Sequence, residues 1–321
     1  MGLAKYRFIW GPGGAGKSHI AIRKTVQSEG PKLLLTLDPS LRLFHLFGTK
    51  PIPGGQSLRL AEEEFTLRQT DALRLFEALQ DRAPADPKVR HYFAQLVNGL
   101  QRFRDYLALI ELGDEMQKDE FKTVVIDTPP FQEAKAFQNS IVNLHEFFDR
   151  SLVQLGLRNQ WLHVGVRKVV EGMKLFTGKK NLEQSLAFLD WLREHLERFQ
   201  CSARSLHELL FHESTIHTLV LNPESSLPEL KQMEEFFRRA KHLEIVINRS
   251  VAHLGPLSAR HPFFQEFQKL QERESQLRLQ IEKMFTAPIE LIPLAAMGED
   301  SREELLEFVS IKSAVIQSKA K

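Results

Sequence analysis

The sequence predicts an α/β fold: a mostly parallel sheet with helices on both faces and an inserted helical subdomain. Three observations predict it. Short, near-continuous apolar runs alternate with stretches of helical spacing, the pattern of strands buried on both faces. The runs stop at Gly11, Asp38, Asp127, Asn222 and Asn248, small or polar positions suited to the carboxyl ends of parallel strands, where ligands of such folds collect. Finally, one long stretch, 131–214, contains no strand-like run.

The first run, 6–10 (YRFIW), leads into a glycine-rich turn and reads as a buried strand. Helical spacing begins at Lys17 and stops at Gly30-Pro31, a strong break. Strands are expected next at 32–37 (KLLLTL), ending at Asp38-Pro39, and at 123–126 (TVVI), ending at Asp127-Thr128-Pro129-Pro130. Three more follow at 218–221, 244–247 and 289–294, and a helical pattern runs from Ser301 to Ile316. Residues 131–214 are rich in apolar side chains, Phe147, Trp161, Met173, Phe176 and Trp191 among them, and read as several helices. The expected division is therefore a core of 1–130 with 215–321, and an insert of 131–214.

Length and composition bound what this fold does. At 321 residues the chain is long enough for one large α/β domain or two modest ones. Lys and Arg number 43 against 41 Asp and Glu, a balance that offers no electrostatic case for nucleic acid. Cys201 is the only cysteine, which rules out an intrachain disulfide and a thiolate metal cluster. The opening residues MGLAKYRFIWGPGG lack the apolar core of a leader, and nothing approaches the roughly 20 apolar residues that span a bilayer. The expectation is a soluble, cytoplasmic protein with no transmembrane segment.

The strongest chemical signal is Gly11-Pro12-Gly13-Gly14-Ala15-Gly16-Lys17-Ser18, which matches G-x-x-x-x-G-K-[ST] between a strand and a helix. Its parts point to a purine nucleoside triphosphate with Mg²⁺. Glycines let consecutive backbone N–H groups curl around phosphates, and the helix adds its positive N-terminal end. Lys17 is placed to reach the β- and γ-phosphates, and the Ser18 hydroxyl to ligate the metal. Asp127, closing an apolar strand, is the candidate second metal residue. Asp38 ends the neighbouring run, in position to orient or activate an attacking water; the competing reading is a strand-ending turn or helix cap.

Several of these segments together resemble the ArsA-type ATPases, the family of the arsenite-pump ATPase and of the Get-pathway factors that carry tail-anchored membrane proteins. The likeness rests on GGAGKS at 13–18, LLLTLDPS at 33–40, VVIDTPP at 124–130, VLNPESSLPELKQMEEFF at 220–237, IVINRS at 245–250 and IELIPLAAMGED at 289–300, in family order. It implies a dimeric ATPase using ATP and Mg²⁺, with Asp38 positioning water and Asp127 supporting magnesium. By the same likeness Asn248, Pro293 and Leu294 hold adenine, and the insert helices form a groove for a hydrophobic protein client.

Departures from the family shape the alternatives. Pro12 stands where the family carries a lysine that reaches the partner's phosphates, and a proline supplies no cation. The family's DPAHS reads Asp38-Pro39-Ser40-Leu41-Arg42, and its DTAPTGHT reads Asp127-Thr128-Pro129-Pro130-Phe131-Gln132-Glu133-Ala134. A single cysteine argues against arsenite. The chain is thus expected to be an active homodimeric ATPase or a weakly active nucleotide-binding subunit paired with a complete family member. A positioning switch of MinD or ParA type is the third reading, disfavoured by the missing lysine and an ordinary C-terminus. Two lesser signals carry little. His207 and His212 are five residues apart, roughly 140° on a helix, so they cannot face one zinc ion together. The C-terminal helix lacks the aromatic and basic faces of a membrane-surface element, so packing on the sheet is the expectation.

Overall fold

The computed structural model describes residues 5–38, 40–52, 54–70, 112–113, 120–130, 205–252, 254, 260–294, 302–311 and 314–316. The chain divides into two compact units: Met1–Gln69, Asp119–Lys135 and Leu210–Lys321 form one, Thr70–Lys118 and Ala136–Leu209 the other. The first unit holds the sheet. The expected helical insert at 131–214 lies outside the described residues except for its end, where 205–210 is helical and leads into a strand.

Among the described residues the sheet has nine strands in the order β3-β4-β2-β5-β1-β6-β7-β8-β9. In chain order these are β1 (Lys5–Trp10), β2 (Lys32–Thr36), β3 (Gln56–Leu60), β4 (Glu63–Gln69), β5 (Thr123–Asp127), β6 (Thr215–Leu221), β7 (His242–Ser250), β8 (Ile289–Pro293) and β9 (Ala314–Ile316). From β4 across to β8 every pairing is parallel; only the edges, β3 on β4 and β9 on β8, are antiparallel. All five residues of β2 and of β5 are buried, as strands covered on both faces require.

Period-two alternation divides the core between the faces. On one face Ile9, Leu34, Val125, Val220, Val246 and Ile292 pack with α1 (Lys17–Val26), α2 (Arg42–Leu46) and α6 (Arg302–Ser310), through residues such as Ile20, Phe44 and Phe308. Arg23 of α1 donates to the carbonyls of Phe308 and Ile311, which fastens α6 to that layer. On the other face Phe8, Trp10 and His217 stack, and Phe236 and Phe237 close over Trp10 edge-on. Those two phenylalanines belong to α4 (Glu234–Arg239), which follows α3 (Leu227–Gln232). The long α5 (Phe264–Met284) returns the chain to β8.

The six strands read from the sequence all form, and three findings go beyond that reading. The β3–β4 hairpin was not legible because its connection, Ala61-Glu62, carries positive φ of 50° and 66° on residues other than glycine or asparagine. Such turns are ordinarily announced by Asn-Gly or Asp-Gly. The C-terminal helix stops at Ser310 rather than Ile316, and 314–316 pairs with β8 as an edge strand. Strand β7 runs on to Ser250 through a register irregularity between Ile247 and Ser250, so Asn248 lies within the strand rather than beyond it.

Candidate functional site

Between β1 and α1 the chain makes a turn that only small residues allow. A Cβ on Gly11 would meet the Val220 carbonyl oxygen at 2.3 Å, so β6 presses directly on the turn. Gly14 and Gly16 have φ of 77° and 88°, the left-handed region that glycine enters without steric cost. A Cβ on Gly13 or Gly14 would meet nothing within 4 Å, so the crest of the turn is open. Ala15 is buried and anchors the turn in the core.

Helix α1 starts at this turn with no side-chain cap and no acidic residue in its first turn. Its leading N–H groups therefore face the turn without a competing carboxylate, the electrostatics that favour an anion. The Lys17 ammonium folds back onto the Pro12 carbonyl at 3.1 Å and is buried. Ser18 Oγ donates to Asp127 Oδ2 at 2.9 Å, which brings the helix start to the end of β5.

Asp127 is 2% exposed, and its Oδ1 has no hydrogen-bond partner. Burial pushes its carboxyl up to about 6, against the pull of the Lys17 ammonium and the Ser18 hydroxyl. The Asp38 carboxylate also pushes it up, while the Arg42 guanidinium opposes that rise. An orphaned buried carboxylate oxygen beside a serine hydroxyl is a donor set that fits a hard divalent cation such as Mg²⁺. Lys17, Ser18, Asp38 and Arg42 thus all act on the Asp127 carboxyl.

Asp38 has three attachments that settle its local geometry. Its backbone N–H donates to Thr36 Oγ1 at 3.2 Å, and its carbonyl accepts from Gln69 Nε2 at 3.0 Å. Its Oδ1 accepts from the Ser40 N–H at 2.8 Å, so one carboxylate oxygen shapes the turn out of β2. The turn reading of this residue therefore holds for Oδ1.

The residues assigned to a base by resemblance also gather at the carboxyl ends of their strands. Asn248 is 4% exposed and donates through Nδ2 to the Ala15 carbonyl at 3.0 Å. Its amide nitrogen thereby braces the turn from β7, and a Cβ on Gly16 would lie 2.3 Å from that same nitrogen. Pro293 pairs with Ser250, and the Leu294 N–H donates to the Ser250 carbonyl at 2.8 Å, leaving Leu294 41% exposed. Behind them the buried Glu274 of α5 accepts from Ser250 Oγ and from the Val251 N–H, at 2.6 and 2.7 Å.

Sequence reasoning missed the bracing role of Asn248 and the tie through Glu274. Glu274 stands in no motif of its own, and it matters only through Ser250 and Val251, distant in sequence. His212 lies beyond the helical residues 205–210, with its Nδ1 against Ser214 Oγ, and no group of three metal-ligating side chains occurs among the described residues. No described helix is long and apolar enough to cross a membrane. In comparisons with known proteins, no family model and no curated protein matches the chain.

Proposed function

We propose that the chain binds MgATP on the turn 11–18 and hydrolyses it, as a cytoplasmic dimeric ATPase of ArsA type that couples nucleotide state to a hydrophobic client or partner protein. The observation that carries this reading is the joint geometry of the turn and Asp127. An open glycine crest, an uncapped helix start, a serine hydroxyl and an orphaned carboxylate oxygen converge at the carboxyl ends of the central strands β1 and β5. No ordinary turn needs that combination. A P-loop nucleotide site uses all of it.

In this reading the backbone N–H groups of 13–18 and the Lys17 ammonium hold the phosphates. Ser18 and Asp127 hold Mg²⁺, which supplies neutralisation of charge on the β- and γ-oxygens. Asp38 orients a water whose oxygen bonds to the γ-phosphorus as the bond from that phosphorus to the bridging oxygen breaks. The electron pair of that bond stays on ADP, and the water proton passes to Asp38 and then to phosphate or solvent. Asn248, Pro293 and Leu294 form the base-side wall, with Asn248 also bracing the loop.

Pro12 supports a second reading, a nucleotide-binding subunit whose partner supplies a cation in trans. The deciding experiment is steady-state MgATP hydrolysis over a series of protein concentrations, with Lys17→Ala as the blank. Turnover above the blank that rises with concentration is the expected result. Tight ATP binding without turnover selects the second reading, and a wild-type chain that binds no ATP ends both.

A further inference from the structure

Strand β7 does not end as a regular strand. Between the pair Ile247–Leu291 and the pair Ser250–Pro293 it advances three residues while β8 advances two, so one extra residue is taken up there. Arg249 absorbs it with φ of 57°, the left-handed region that residues other than glycine enter at a cost. A strained bulge of this kind re-aims the side chains around it and persists only where its surroundings hold it. The residue before it is Asn248, whose Nδ2 donates to the Ala15 carbonyl of the phosphate turn at 3.0 Å.

What holds the bulge comes from α5. Leu277, Ile281 and Met284 form a buried stripe on that helix, and Glu274 continues it at helical spacing. A carboxylate where the pattern calls for a hydrophobic side chain is costly unless its oxygens are met. Both are met: Oε1 accepts from Ser250 Oγ at 2.6 Å, and Oε2 from the Val251 N–H at 2.7 Å. Those are the two residues that follow Arg249, so one side chain clamps the far side of the bulge. Ser250 is tied to β8 as well, its carbonyl accepting from the Leu294 N–H at 2.8 Å. Glu274, Ser250 and Val251 are all buried, where such bonds are strongest. Cohesion of the core alone is served as well by an apolar residue at 274.

We propose that Glu274 is a positioning residue for the phosphate turn. By clamping Ser250 and Val251 it fixes the bulge at Arg249, the bulge aims the Asn248 amide at Ala15, and the turn is thereby set for phosphate before nucleotide arrives. Pre-organisation of this kind raises affinity by removing an ordering cost at binding. The inference rests on the nucleotide reading of 11–18 and deepens it. The helix that follows β7 governs the site without touching the ligand.

The test is MgADP binding to the full chain by calorimetry, with thermal midpoints measured alongside. Glu274→Ala is expected to weaken binding about fivefold or more. Glu274→Gln should stay within about twofold of wild type, because its amide keeps an acceptor for the Val251 N–H and offers Ser250 Oγ a donor. Leu277→Ala, three residues on and outside the clamp, should lower the midpoint yet leave binding within about twofold. Added to Asn248→Ala, Glu274→Ala should cost less than about twofold more, since both break one path. Ser250→Ala removes only the Oγ bond; it should show a smaller loss with the same dependence on Asn248, and it carries the test if Glu274→Ala does not fold. Losses that multiply in the double variant, or wild-type binding by Glu274→Ala, overturn the inference and leave nucleotide binding standing. So does a Glu274→Gln chain as weak as Glu274→Ala, or an equal loss in Leu277→Ala. A wild-type chain that binds neither MgADP nor MgATP overturns the site reading itself, and this inference with it.

Discussion

Replacing Gly16 by alanine perturbs the phosphate turn in a way the structure lets one calculate. The residue has φ of 88°, so an alanine there adopts a left-handed backbone at a cost of about 1–2 kcal/mol. Its new Cβ would lie 2.3 Å from Asn248 Nδ2, a distance that forces the amide away. Displacing Asn248 breaks its bond to the Ala15 carbonyl and leaves buried polar groups unmet, about 1–3 kcal/mol more. The expected loss is therefore about 2–5 kcal/mol, measured by urea unfolding followed by circular dichroism. Gly13→Ala is the control: its Cβ meets nothing within 4 Å, so stability stays within about 0.5 kcal/mol while phosphate access suffers. Asn248→Ala completes a double-mutant cycle, because in that background the clash is gone and only the backbone cost of Gly16→Ala remains. A Gly16→Ala chain as stable as wild type refutes the reasoning. So does a cost unchanged by Asn248→Ala, which would mean the two residues are not coupled.

Two further outcomes depend on pH. His217 is fully buried, with Nδ1 accepting from Trp10 Nε1 at 2.9 Å and Nε2 against the Leu210 carbonyl at 2.7 Å, which makes it neutral with its proton on Nε2. Burial lowers its pKa from 6.5 to about 4, so its contribution is complete above pH 6.5 and is lost as pH falls toward 4, about 3 kcal/mol in all. Unfolding titrated across that window should steepen in wild type and flatten in His217→Gln; equal slopes would remove the histidine from the account. Asp127 runs the other way. Its folded-state pKa of about 6 lies above 3.8, so ionising it in place costs stability above pH 6 and costs nothing below 3.8. Asp127→Asn should thus gain about 3 kcal/mol at pH 8, gain nothing near pH 3.5, and lose magnesium-dependent nucleotide binding. Lower stability at pH 8 would show that the carboxylate is not strained by burial.

Much of the fold and the outline of the site could be read without coordinates, because each rests on information confined to a few adjacent residues. Runs such as KLLLTL and TVVI can only be satisfied as strands covered on both faces, and β2 and β5 are buried throughout. The turn 11–18 announces its backbone by its glycines, and two of them take the left-handed conformation glycine permits. Hairpin β3–β4 escaped because Ala61 and Glu62 enter positive φ against their own preference, held there by the pairing of the strands they connect. The C-terminal residues 314–316 fit a helical pattern locally, yet they pair as an edge strand on β8.

Tertiary structure alone decided what the remaining site residues do. Asn248 came to view as a base contact by resemblance, but only the approach of β7 to the turn makes its amide a brace for Ala15. Glu274 reaches Ser250 and Val251 from a helix that follows them in the chain, α5. Local sequence determines backbone preference and burial period, which are properties of neighbours along the chain. Bracing and the electrostatics of a buried carboxylate are properties of neighbours in space, and those exist only once the sheet has brought the carboxyl ends of β1, β5 and β7 to the same side.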